Sequence, residues 1–268
     1  MSATGTMPTN PRASLRPLAR VEAHKLIRHP AFLAGVGFVL VGIAMFVRAI
    51  LSSSGSTWND DGWTVGVAVA VLAILTMVAA NLAALRDRRE DAVEQHMALP
   101  VAQSTRTGAL IAATAGPATV VVLLIAGVVG FAISRVPSLT AADQVHLVER
   151  LSAVVMLGTL GVALAGWLPS PFVAPVIGWG LLLVSPGDPP QTWQVLTPWA
   201  SLRQAELATW HLGYLVGLTV LFGVAALARS SRSRSLVIAG VAGAAAVIGC
   251  AAVLFARACP STTGVCWF

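Results

Sequence analysis

The chain has 268 residues, of which 56% are hydrophobic and only 10% charged, and its mean hydropathy of +0.80 excludes an ordinary soluble domain. Its net charge of +6 would suit a nucleic-acid binder, but the basic residues flank apolar runs. The charge therefore encodes membrane orientation, and no nucleic-acid partner is expected.

Residues 1–14 read as a disordered tail, with no cleavable signal peptide, because the first long apolar run follows a basic segment and lacks a small-residue cleavage pattern. In the next segment, 15–30, Leu15, Leu18, Ala19, Ala23, Leu26 and Ile27 share one helical sector, with Arg16, Arg20, His24 and Arg28 opposite. Such a helix lies in the inner interface, where arginine stems snorkel. Glu22 has Lys25 as its i+3 partner.

A first span is predicted at Ala31 to Leu51, since a bilayer core needs about 20 apolar residues. The short outer loop that follows carries Trp58 and Trp63, suited to an interfacial belt. Its Asp60 and Asp61 have no His or third carboxylate nearby, so a solvated loop is expected there. The second span is Thr64 to Leu85.

Arg86 to Arg106 is the longest charged segment between two apolar runs, and Arg86, Arg88, Arg89 and Arg106 fix it inside. Asp87, Glu90, Asp91 and Glu94 recur on one helical face, with Ala92, Val93, His96 and Met97 on another strip. The pattern predicts a helix over Asp87 to Leu99, with acids at its first turn and Pro100 as its stop.

The third span is Ala109 to Ile133, containing Gly116-Pro117, and an outer loop over Ser134 to Glu149 follows. Asp143, His146, Glu149 and Arg150 mark that loop and an amphipathic start to the next helix. His146 and Glu149 are three apart, but two ligands alone make no metal site. Leu151 to Val184 holds two further candidate spans divided by Pro169-Ser170-Pro171, and the second, Phe172 to Val184, is only marginally long enough, so it is either a crossing or half of a re-entrant pair.

Ser185 to Thr209 is the largest outer segment. Thr197 as N-cap with Pro198 at the first helical position starts a helix there, and Trp193, Trp199 and Trp210 rest it at the outer interface. The next span, His211 to Ala228, has Gly213 and Gly217 at a spacing that permits close helix contact. Arg229, Arg232 and Arg234 close the inner side before a last span at Leu236 to Ala256. Cys250 lies in that span, whereas Cys259 and Cys266 fall on the outer, oxidising face, where a disulfide can clip the tail.

Lysine and arginine counts by alternate loops orient the whole. Arg12, Arg16, Arg20, Lys25, Arg28, Arg86, Arg88, Arg89, Arg106, Arg229, Arg232 and Arg234 fall on one side, against Arg48, Arg135, Arg150, Arg203 and Arg257 on the other. The bias predicts a cytoplasmic N-terminus, seven crossings and an outer C-terminus.

No phosphate loop, H-E-x-x-H, G-x-S-x-G or paired C-x-x-C occurs in the sequence. The span interiors also lack Asp, Glu, Lys and Arg, the groups that ion-driven transporters keep for a relay. Energy for any transport must then come from another subunit.

Arg20 to Pro30 before the first span, RVEAHKLIRHP, resembles the elbow helix of the membrane subunits of ATP-binding cassette transporters of the type 2 exporter class. Arg89 to Pro100, REDAVEQHMALP, is similar to that family's coupling helix, and Trp210 to Leu218 looks like the start of its last common span. The resemblance covers most of Leu15 to Arg229. It implies an all-α integral membrane permease of about seven transmembrane helices: an elbow at 15–30, a permease domain at 31–235 with its coupling segment at 86–106, and an extra span and outer tail at 236–268.

It further implies a multi-pass protein of the plasma (inner) membrane that moves a hydrophobic or amphipathic substrate such as a lipid, drug or peptide. The chain would be no enzyme and hold no cofactor of its own. Its expected partners are membrane lipid, a second permease copy, identical or related, and cytoplasmic ATPase subunits carrying ATP and magnesium. Asp87, Arg88, Arg89, Glu90, Asp91, Glu94 and His96 would meet the ATPase, with Arg20, Glu22, Lys25 and Arg28 on the elbow. The family usually has six spans, so the seventh here is a departure, as are the short proline-broken segments after Leu151. Two alternatives stay open: a non-transporting anchor or sensor whose inner loop recruits a partner, and a membrane-embedded enzyme using His146 or His211 with outer carboxylates.

Overall fold

The computed structural model describes residues 11–52, 58–89, 102–133, 141–184, 205–231 and 233–258. Among the described residues the chain is all helical, without a strand. The elements are α1 (Pro11–Ile27), α2 (Pro30–Ser52), α3 (Trp58–Arg89), α4 (Gln103–Ala113), α5 (Ala115–Ile133), α6 (Ala141–Trp167), α7 (Val173–Val184), α8 (Ala205–Ala228) and α9 (Arg234–Ala258).

Five stretches are long and apolar enough to cross a bilayer: Pro30–Arg48, Gly66–Arg86, Val148–Trp167, Glu206–Ala228 and Arg234–Arg257. That is the mark of a membrane protein. These five lie in α2, α3, α6, α8 and α9, which pack in that order as a row. Their directions follow from residue pairs. Gly66 lies beside Arg150, Thr76 beside Gly158, and Asn81 beside Gly161, so α3 and α6 run parallel. Glu149 meets His211 and Trp167 meets Ala225, so α8 runs parallel to α6. By contrast α9 is antiparallel to α8, with Gly213 against Cys250 and Gly217 against Val247. Likewise α2 is antiparallel to α3: Gly35 packs on Leu72 and Leu75, while His29 shares a cavity with Leu82 and Arg86.

Parallel neighbours require the chain to return between them. From α3 to α6 that return includes α4 and α5. The predicted single span at Ala109 to Ile133 is in fact two helices, divided at Thr114. Proline has no N–H to give the Ala113 carbonyl, so the ladder fails where Pro117 enters. Thr114 closes the last turn of α4 there, its hydroxyl donating to the Ile111 carbonyl at 2.7 Å and its N–H to the same oxygen at 3.2 Å.

From α6 to α8 the return begins with α7, whose 12 residues rise about 18 Å, short of a full crossing. Gly178 of α7 packs on Ile74, and Met77 lies 3.2 Å from where its Cβ would be, which sets α7 against the middle of α3.

The core lies along the α3–α6–α8 seams, with Leu72, Met77, Val154, Met156, Leu157 and Leu215 buried. Thr76 and Thr159 are buried without unpaired hydroxyls, since each donates to the carbonyl four residues back at 2.8 Å. By contrast α2 and α9 keep broad apolar faces exposed, including Phe38, Val41 and Met45 on one and Val237, Val241 and Ile248 on the other. Such faces suit lipid.

The first helix begins at Pro11 and ends at Ile27, earlier at both ends than the predicted 15–30, because His29 and Pro30 start α2. His29 is the N-cap: its Nδ1 accepts the Ala31 N–H at 3.2 Å, and its carbonyl accepts Leu33 N–H at 3.0 Å. Pro30 fills the first helical position, where no N–H is needed.

Candidate functional site

Two polar regions stand at opposite ends of the row. At one end α1 turns its predicted apolar sector inward, with Leu26 buried and Leu15, Leu18, Ala19, Ala23 and Ile27 partly so, while Arg16, Arg20, His24 and Arg28 are exposed. The sector covers α4 and the start of α5. Any Cβ at Gly108 would touch Leu15 at 3.4 Å, and one at Gly116 would come within 2.9 Å of the Ala23 Cβ. Glycine at 116 is what lets α1 approach this closely.

The other flank of α1 faces the end of α3. Lys25 Nζ donates to Glu22 Oε1 at 2.7 Å, and a cavity of about 300 Å³ is lined there by Glu22, Lys25, Leu26, His29, Leu82, Ala83 and Arg86. Burial at this boundary pushes the His29 imidazole below its ordinary value. The helix α1 therefore flanks the charged segment 86–106 on both sides, sharing a cavity with Arg86 where it leaves and lying beside Gly108 just after it returns.

Within that segment Asp87, Arg88 and Arg89 are the last residues of α3, a 32-residue helix about 48 Å long. They therefore continue a span where a separate helix start had been predicted. Glu90, Asp91, Glu94 and His96 lie outside the described residues, as do Cys259 and Cys266 and the predicted helix start at Thr197-Pro198.

At the opposite end, Glu149 is 2% exposed and His211 fully buried, with His211 Nδ1 and Glu149 Oε1 in direct hydrogen-bond contact. The predicted outer loop is thereby corrected. From Ala141 onward the chain is already α6, and Glu149 is a buried tie to α8 and not a solvated loop acid. The expectation that the spans hold no ionisable groups is corrected with it, since Glu149 and Arg150 fall within the apolar stretch Val148–Trp167.

Arg150 points the other way, toward α3, with a guanidinium nitrogen 3.1 Å from where a Gly66 Cβ would be. It remains close enough to Glu149 for their charges to interact. Tyr214, one turn along α8, stacks on the imidazole with ring centroids 5.8 Å apart. Nearer the helix start, Glu206 and Arg257 pair on the surface between α8 and α9.

This cluster can hold and exchange a proton, because a carboxylate and an imidazole share one contact inside an apolar seam. Metal binding is a poorer fit: among the described residues no three His, Cys, Asp or Glu converge. The sequence did name His211 and the outer carboxylates as groups that could meet. It did not pair them, because 62 residues separate Glu149 from His211.

A second buried polar group was not anticipated. Asn81, fully buried in α3, donates through Nδ2 to the Gly161 carbonyl at 3.3 Å. Comparison with family models, with curated proteins and with solved structures found no match.

Proposed function

We propose that this chain is the membrane subunit of an ATP-binding cassette transporter of the type 2 exporter class, working with a second permease copy and with separate cytoplasmic ATPase subunits. One observation supports the reading: α1 flanks the segment 86–106 on both sides, sharing a cavity with Arg86 of α3 and packing by Leu15 beside Gly108 of α4. A load applied by an ATPase to that segment passes at once to α1 and to α3, and α3 is packed along α2 and α6. The row of spans then tilts as connected rigid elements.

In this reading α1 is the elbow at the inner interface, and the basic ends of α1, α3 and α8 face the cytoplasm. Seven crossings result, with α4–α5 and α7 as the two returns and Cys259 and Cys266 outside. The substrate is hydrophobic or amphipathic, and ATP and magnesium reside on the partner.

A membrane-embedded enzyme is the second reading, and Glu149–His211 is the observation that favours it. Among the described residues, however, no third His, Cys, Asp or Glu joins the pair to complete a metal site.

The test is Glu94→Lys. In the sequence Glu94 lies five residues beyond Arg89 and has no lysine or arginine after it until Arg106, so it is the acid most available to a partner. The variant is expected to insert and express like the parent while losing co-purification of the ATPase and transport, with partial rescue by a charge reversal on the ATPase. Removing one member of a partly desolvated interface pair costs about 2 to 5 kcal/mol. Asp60→Lys is the control and is expected to assemble normally. Normal assembly of Glu94→Lys, and then of a chain whose whole acidic face is replaced, would rule out the coupling role.

A further inference from the structure

The Glu149–His211 pair has no part in the coupling argument, yet it is the most deeply buried ionisable contact between two spans among the described residues. We propose that it is a proton-binding site between α6 and α8, loaded from the end at which those two helices begin, and that the loaded form loosens their packing there. The inference stands independently of any ATPase partner.

The unpaired Nε2 favours one resting form. Nδ1–H of a neutral His211 donates to an ionised Glu149, to which neighbouring Arg150 is attracted, and a buried Nε2 with no acceptor costs less as a lone pair than as a charged N–H. His211 Nε2 is then a lone pair with no hydrogen-bond partner among the described residues. It is the vacant position that a proton would fill.

Among the described residues, the other groups facing the site leave that position open. On α6 they are Glu149 and Arg150, and on α8 Tyr214, which offers a ring face, and Glu206, which pairs on the surface with Arg257 of α9. The remaining titratable group of α9 nearby is Cys250, which lies against Gly213. On α3 the described neighbour at this level is Gly66. Ala208, Leu207 and Leu215, around His211 on α8, are buried and apolar.

Proton uptake is a simple transfer. Hydronium gives a proton to Nε2, leaves water, and raises the cluster's charge by one. Nε2 then becomes a charged N–H donor without an acceptor, and desolvating a charged donor is more costly than desolvating a neutral acceptor. The cost is relieved when water reaches Nε2, which requires α6 and α8 to part at this end. His211 lies five residues along α8 from exposed Glu206, about 7.5 Å of helix rise, so the water has little more than one turn to penetrate.

The test uses the full chain in lipid nanodiscs with ¹⁵N-labelled histidine and ¹³C-labelled glutamate. The expected result is that the step which protonates His211 Nε2 is seen both at the His211 ring nitrogens and at the Glu149 carboxyl carbon, because a macroscopic step of two coupled sites belongs to the pair. Glu149→Gln is expected to abolish that step at His211, and His211→Gln to abolish it at Glu149, so one folding variant suffices. Helix parting is read at Ala208→Cys, in a chain whose three native cysteines are serine, using a water-soluble thiol reagent. On the acid side of the step it should label severalfold faster with Glu149 than with Glu149→Gln, a comparison at equal pH that cancels the thiol's own reactivity. Independent shifts of the two groups, or none while the chain stays folded, would overturn the proton site. A shared step without faster labelling would overturn the loosening.

Discussion

Gly161 of α6 rests directly on the carbonyl of Met77 of α3, with no room for a side chain between the two backbones. Any Cβ there would collide with backbone oxygen, which cannot rotate away, and it would also crowd Asn81, whose side chain donates to the Gly161 carbonyl. Gly161→Ala is therefore expected to destabilise the α3–α6 seam by about 1–3 kcal/mol, the usual range for overpacking. The matched control is Gly37→Ala on the exposed face of α2, where an added Cβ meets nothing within 4 Å. Thermal unfolding in detergent should show a lowered midpoint for Gly161→Ala, whereas Gly37→Ala, which adds a better helix former in open space, should keep or raise its midpoint. Equal midpoints would mean that the two helices do not approach this closely.

The His29 cap should make the α1–α2 junction sensitive to acid. Its Nδ1 accepts the Ala31 N–H only when unprotonated, and burial lowers its value below the ordinary 6.5. A base lowered in the folded state binds fewer protons there than when unfolded. Its contribution is thus complete above about pH 6.5 and is lost as pH falls through the lowered folded value. His29→Asn keeps a capping acceptor without the titration, so its stability should lose this pH dependence. His29→Ala should cost about 1 kcal/mol at neutral pH, as loss of an N-cap does. An unchanged pH profile in His29→Asn would remove His29 as the sensor.

Orientation is testable from the row itself. Exposed Ser233 lies just before α9, and exposed Glu206 at the start of α8, at opposite ends of an antiparallel pair. In a chain lacking its native cysteines, Ser233→Cys should label from the inner side only and Glu206→Cys from the outer side only. Both labelling from one side would contradict a crossing by α8.

The elements that follow a regular period were the legible ones. The α1 sector was readable because Leu15, Leu18, Ala23 and Leu26 repeat at helical spacing and are inward in the structure. The Gly213 and Gly217 spacing was readable too, and those glycines do receive α9 at Cys250 and Val247. The division at Thr114 was hidden, because hydropathy runs unbroken through Ala109 to Ile133 and only the missing N–H of Pro117 cuts the ladder. Parallel packing of α3, α6 and α8 was equally hidden, since hydropathy finds spans without saying which of them touch. Glu149 was misassigned for the same reason: beside Arg150 it looks solvated, and only the α6–α8 contact supplies the His211 that allows its burial.

Energy supply is where the permease reading is most exposed. The chain has no glycine-rich nest and lysine to hold phosphates, so the permease reading puts ATP hydrolysis on a partner. The most direct measurement is purification of the chain from its own membrane in mild detergent, with identification of co-eluting polypeptides and assay of ATP hydrolysis. The permease reading predicts a stoichiometric partner bearing a G-x-x-x-x-G-K-[ST] loop, hydrolysis by the complex, and none by the chain once the partner is removed. A chain that elutes without such a partner, or that hydrolyses ATP when alone, would contradict it.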